Sequence, residues 1–173
     1  MALIRELNGN TPEFGNDCFL AETAVIIGDV ITGDECSIWY NAVLRGDVNS
    51  IRLGNRVNIQ DNVMVHCTYR KTKTILGNNV SIGHNAVVHG CTLHDNVLVG
   101  MGAIIMDNCV VGSFSIIAAG AVVTQNTQIG EGEIWAGIPA KKIGMVSKEL
   151  KEGEIQRIAA NYVKYSGWYS SDQ

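Results

Sequence analysis

Residues 93–135 read LHDNVL VGMGAI IMDNCV VGSFSI IAAGAV VTQNTQ IGEGEI W. Every sixth residue is large and apolar: Leu93, Val99, Ile105, Val111, Ile117, Val123, Ile129 and Trp135. A sustained hexapeptide period marks a parallel β-helix, in which each hexapeptide forms one short flat face. Upstream, with one residue dropped after Val88, the column continues through Val88, Ile82 and Leu76. It resumes at Val65, Ile59 and Leu53, and again at Leu44, Ile38, Thr32, Ile26 and Leu20, with Thr32 a polar lapse. Two insertions separate these runs, near Gly46–Ser50 and Tyr69–Ile75, and are expected to form loops at corners. Loops on a rigid scaffold often carry function.

Composition agrees with such a coil. Gly follows the aliphatic residue at Gly54, Gly77, Gly112 and Gly130, and Asn79, Asn96 and Asn108 fall at corners. Both residue types tolerate the left-handed backbone angles of tight turns. Small residues recur four places after the aliphatic one, as at Ala24, Val30, Cys36, Val57 and Cys109, and are expected to be buried. The five cysteines are odd in number with no Cys-x-x-Cys spacing, which implies neither a disulfide framework nor a zinc knuckle. The 173 residues favour one domain, and 13 basic against 17 acidic residues give no electrostatic reason to expect nucleic acid. No apolar run is long enough to span a bilayer. The first sixteen residues lack the apolar core of a secretory signal, so a cytoplasmic location is expected.

The period changes near the C-terminus. Gly137-Ile138-Pro139-Ala140-Lys141 breaks the repeat, and Leu150, Ile155, Ile158, Tyr162 and Tyr165 approximate helical spacing. Ser147 is the expected N-cap, Gly153 weakens or divides the helix, and Ser170 to Gln173 are expected to fray.

Four histidines carry the chemical signal. His66 and His89 each follow their aliphatic residue, Val65 and Val88, by one. Three hexapeptides make one triangular coil, so both would project outward from adjacent rungs, ~4.8 Å apart. Two readings stay open from spacing alone: two ligands of one metal ion, or an interface hydrogen-bond pair. Arg45 lies one rung away in the same outward column. His84 sits on the neighbouring face, stacked over Asp61, with Gln60 beside it. Five residues and a corner separate His84 from His89, up to ~16 Å at strand rise. Metal–nitrogen bonds are ~2.0–2.1 Å, so His84 does not reach the pair of its own chain. A second chain alongside could bring its own His84, and a triangular prism packs naturally about a three-fold axis. His94 lies out of line and reads as solvated or structural.

The segments Asn58-Ile59-Gln60-Asp61-Asn62-Val63-Met64-Val65-His66 and Gly83-His84-Asn85-Ala86-Val87-Val88-His89-Gly90, with Leu44-Arg45-Gly46-Asp47 upstream, resemble the γ-class carbonic anhydrases. The resemblance implies an all-β solenoid, a left-handed parallel β-helix with a C-terminal α-helix. A cap would cover residues 1–18, the β-helix 19–142, and the helix and tail 143–173. It implies a homotrimer with metal sites at its interfaces, using His66 and His89 from one subunit and His84 from the next. Gln60 resembles the residue that hydrogen-bonds the metal-bound water, Asn58 one that positions substrate, and Tyr162 a C-terminal tyrosine near the metal. Arg45, Asp47 and Asp61 look like interface ion-pairing residues. The implied reaction is reversible hydration of CO₂ to bicarbonate by metal-bound hydroxide. Imidazole suits Zn²⁺, Fe²⁺ and Co²⁺ alike, so the ligands leave the metal open.

The loops depart from the acid-bearing members of that family. Asp47-Val48-Asn49-Ser50 and Cys67-Thr68-Tyr69-Arg70-Lys71-Thr72-Lys73 contain no glutamate, and the second is basic. This matches the short-loop branch and bears on proton transfer more than on metal binding. Cys67 reads either as a small interface residue or as a redox-sensitive thiol. Alternatives of other classes are a hexapeptide acyltransferase or metal-dependent thioesterase, and a non-catalytic metal-binding trimer.

Overall fold

The computed structural model describes the backbone of residues 1–170 and side chains through 169. The chain coils into a parallel β-solenoid with three faces. On the first, Val25, Val43, Met64, Val87, Ile104 and Val122 stack in register. On the second, Leu53, Leu76, Leu93, Val111 and Ile129 stack. The third is an eight-stranded sheet, parallel except for its last strand, Ala140–Met145, which folds back on Glu133–Gly137. The six-residue column points inward throughout: Ile26, Leu44, Val65, Val88, Ile105 and Val123 are all buried in one continuous core. Each rung is a single side chain deep, so stability comes from stacking on the coils above and below. Thr32, the polar lapse, is also buried, and its hydroxyl accepts the backbone N–H of Gly15 at 3.3 Å. Strand Leu3–Arg5 extends the first face by pairing with Val25–Ile27.

The corners divide into two kinds. Asn79, Asn96 and Asn108 do take left-handed φ near +55 to +59°. Gly77 does not. Its hydrogen is needed because a Cβ there would sit 2.8 Å from the Asp95 backbone nitrogen on the next coil. Close approach of stacked corners therefore explains this glycine, where backbone handedness was expected.

The first insertion is not a loop. Residues 46–50 continue one extended strand, Val43–Leu53, that rounds the corner between two faces. It pairs at both ends with Val25–Thr32, and its own residues 47–50 bulge opposite Asp29, where the register shifts between Gly28 and Val30. Arg52 and Asp29 clamp that corner at 2.6 Å. The second insertion is a true turn, closed by the Thr68 backbone N–H donating to Thr72 Oγ1 at 3.0 Å.

Ser147 caps the C-terminal helix, accepting the Leu150 N–H at 3.3 Å. The helix continues as Lys151–Gln156 in π form and Arg157–Ser170 in α form. Gly153 lies within the π turn, and the helix runs through it undivided. The helix packs outside the third face through Tyr162 and Tyr165, against Phe19, Ala21 and Trp39. The expected fraying beyond Ser170 falls outside the described residues. No helix among those described is long and apolar enough to cross a membrane.

Candidate metal centre

Strands Met64–His66 and Val87–His89 pair in parallel with His66 opposite His89. Their ring centroids lie 5.1 Å apart, and His66 Nδ1 is 3.1 Å from His89 Nε2. The far nitrogen of each ring meets a carboxylate. His66 Nε2 is 3.0 Å from Asp47 Oδ1, and His89 Nδ1 is 3.1 Å from Asp107 Oδ1. Arg45 pairs with the other oxygen of Asp47.

Both carboxyls ionise readily. Burial pushes Asp47 up, but hydrogen bonds from Arg45 and His66 outweigh it and hold the group below the usual carboxylate range. Burial likewise opposes ionisation of Asp107, and Thr72, His89 and Thr68 together override it. An ionised carboxylate only accepts, so the ring nitrogen that faces it is the donor. Burial lowers the pKa of His66, with help from Arg45 and His89 and against the pull of Asp47, which favours the neutral ring. The remaining nitrogens, His66 Nδ1 and His89 Nε2, face each other. The donor set fits a divalent ion: two nitrogens on one tetrahedral metal at ~2.0–2.1 Å stand about 3.3 Å apart, close to the separation of 3.1 Å found here.

His84 lies on the third face. Its Nδ1 is 2.8 Å from Asp61 Oδ2, as the stacking of the two positions suggested. Its Nε2 is left over, 3.5 Å from the Tyr162 hydroxyl. Tyr162 has its pKa pushed up to about 12 by burial, with Asp61 and Tyr165 adding to it, so it stays a protonated phenol. Gln60 joins a buried relay: its Nε2 donates to Asn58 Oδ1 at 3.0 Å, and Asn58 Nδ2 donates to Ser81 Oγ at 2.7 Å. That leaves Gln60 Oε1 as an acceptor. Gln60, His84 and Tyr162 border a mostly apolar groove of about 420 Å³ between the third face and the helix.

Among the described residues of one chain, no group of three or more His, Cys, Asp or Glu side chains is placed to hold an ion. The six residues His66, His84, His89, Gln60, Asn58 and Tyr162 thus fall into two separate groups, the histidine pair on the first face and the other four around the third. Within the chain, Asp47 and Asp61 each bind a histidine. Cys67 is buried in the coil interior, against Ser50 O and Thr74 Oγ1, and burial raises its pKa, which is the opposite of a reactive surface thiol. Asp107 and its threonines were missed by sequence reasoning. The available signal was the shortened corner after Val88 beside a threonine-rich insertion.

The family described as "Bacterial transferase hexapeptide (six repeats)" matches residues 90–125. A "Probable carbonic anhydrase" of Methanocaldococcus jannaschii is 50% identical over 84% of this chain and 89% of its own. The chain belongs to the γ-class carbonic anhydrase family. The mitochondrial gamma carbonic anhydrase 2 of Arabidopsis thaliana is 43% identical over 94% of this γ-class chain, which spans 60% of the length of that plant relative. A crystal structure of a hexapeptide transferase family protein from Anaplasma phagocytophilum superposes with a TM-score of 0.91, at 42% identity over 96% of this chain and 98% of the other.

Proposed function

We propose that this γ-class chain catalyses reversible hydration of CO₂ as a homotrimer, with His66 and His89 of one subunit and His84 of the next holding one divalent ion. One observation carries this reading: each of the three histidines spends one ring nitrogen on an aspartate and turns the other away from it, toward the paired ring or the Tyr162 phenol. Metal-ligating histidines are commonly oriented by such outer hydrogen bonds. The bound ion, Zn²⁺ or else Fe²⁺ or Co²⁺, would supply the Lewis acidity that ionises a water near neutral pH, a property for which carbonic anhydrases are the standard case.

The protein's own residues do the rest. Neutral imidazoles leave the ion its full charge. Gln60 Oε1, held by the Asn58–Ser81 relay, accepts a hydrogen bond and fixes the orientation of the nucleophilic oxygen's remaining proton. Asn58 thereby positions through Gln60. The Tyr162 phenol stays a donor at the mouth of the groove, and the apolar groove wall suits an uncharged gas. Arg45, Asp47 and Asp61 set the histidines within each chain, and we assign them to the subunit interface as well. The divisions 1–18, 19–142 and 143–173 act as cap, scaffold and flank in this reading, and the location proposed is cytoplasmic.

Stopped-flow CO₂ hydration by anaerobically purified protein of known metal content, loaded in turn with zinc and iron(II), tests the proposal. Metal-dependent turnover above buffer is expected. One metal per subunit without CO₂ turnover would overturn it. In that case thioester hydrolysis becomes the reading to pursue, because the groove beside His84 is apolar enough for an acyl chain.

A further inference from the structure

Two irregularities of the repeat meet at one carboxylate. The insertion near Tyr69–Ile75, with the residue before it, brings Thr68 Oγ1 and Thr72 Oγ1 to Asp107 Oδ1, at 3.1 and 2.7 Å. The dropped residue after Val88 tightens the corner at Gly90. There the backbone N–H donates to Thr74 Oγ1 at 3.0 Å, and that hydroxyl donates to His66 O at 2.6 Å. Gly90 itself has φ +58°, and a Cβ on it would collide with both Asp107 Oδ1 and Thr72 Oγ1. Asp107 completes the set from the next coil and accepts from His89 Nδ1 at 3.1 Å. A regular hexapeptide corner with any residue but glycine at position 90 would leave no room for this cluster.

We infer that Asp107, braced by Thr68 and Thr72 in the space opened by Gly90, is a positioning residue that locks His89 in its Nδ1–H tautomer and presents Nε2 as the ligating nitrogen. The consequence for metal affinity rests on the metal-centre reading above; the tautomer does not. Free imidazole has no comparable constraint, so without the carboxylate His89 would divide its proton between the two nitrogens and turn about its ring axis. The insertion between residues 67 and 74, which lacks acidic residues of its own, thus has a task distinct from proton transfer. It sets the geometry of one ligand from behind.

Two readouts test this. In metal-free protein, ¹⁵N-histidine NMR should show His89 as the Nδ1–H tautomer, and Asp107→Ala should shift it toward a mixture. Chelator competition with zinc should show affinity lower by about 10–100-fold in Asp107→Ala, with Thr68→Val moving the same way by less. Far-UV circular dichroism and sedimentation check that each variant keeps its fold and assembly. If Asp107→Ala does not assemble, Thr68→Val and the wild-type tautomer decide. A wild-type His89 protonated at Nε2 would overturn the inference, as would zinc affinity within twofold of wild type in both variants. Failure of the wild-type protein to take up zinc or iron would instead overturn the metal-centre reading, and the tautomer would still decide the role of Asp107.

Discussion

Removing one hydroxyl two contacts from the reaction should lower both stability and turnover. Ser81 Oγ accepts Asn58 Nδ2 at 2.7 Å, and both residues are 1% exposed. Ser81→Ala leaves a buried amide N–H with no acceptor and no access to bulk water, at a cost of about 1–3 kcal/mol. For a chain of this length each kcal/mol moves the melting midpoint by about 2–4 °C, so a fall of about 2–12 °C is expected at fixed chain concentration. The functional effect follows from the next bond. Asn58 Oδ1 holds Gln60 Nε2 at 3.0 Å, and an Asn58 amide without its anchor is free to turn over. Loss of one such positioning bond, about 1 kcal/mol, corresponds to about a five-fold drop in CO₂ hydration at unchanged metal content. The assays are thermal unfolding by circular dichroism and stopped-flow hydration on metal-matched samples. Pairing the change with Asn58→Leu should recover no stability, because it removes the orphaned Asn58 donor but strips the buried Gln60 Nε2 of its acceptor, and turnover should stay low. A Ser81→Ala protein that melts with the wild type and turns over at the same rate would refute the relay.

Stability should fall in acid through Asp47 and Asp107. Their folded pKa values lie below the ordinary 3.8, so their contribution is full above the unfolded carboxyl range and lost as pH falls through the lowered values. Asp47→Asn should therefore flatten the loss of stability below about pH 4, measured by urea unfolding across pH. Gly77→Ala should destabilise by about 1–3 kcal/mol, because its Cβ meets the Asp95 and His94 backbone at 2.8 and 2.9 Å. Gly144→Ala, with nothing within 4 Å, should melt like the wild type. Ile82→Ala removes a fully buried rung of the third face and should cost about 2–5 kcal/mol in denaturant unfolding.

The solenoid was legible because one position in six is decided by burial alone, and the column from Leu20 to Trp135 carries it. The stacking of His66 on His89, and of His84 on Asp61, followed from counting within that register. What counting could not give was anything built at the irregular corners. Val43–Leu53 stays a strand because it bulges against a partner that pairs with it on both sides of the corner, a fact about two coils at once. Asp107 carries no mark of its own, since nothing in the local sequence shows that Thr68, Thr72 and Gly90 clear a path from it to His89. The asparagines at corners were read for the right reason. Gly77 was not, because close packing between coils leaves no mark on a single repeat.

The central claim is that each metal centre is divided between two chains, and subunit mixing tests it most directly. His66→Ala lacks part of the histidine pair, and His84→Ala lacks the third ligand. Neither protein alone should retain metal. Unfolded together in equal amounts and reassembled, they form intact sites wherever a His84→Ala chain presents its pair to the His84 of a His66→Ala chain. Random cyclic trimers place such a pairing at about one interface in four. Recovery of ~0.25 metal per chain in the mixture, with CO₂ turnover in proportion, is the predicted result. A mixture that binds no more metal than its two components would contradict a shared site.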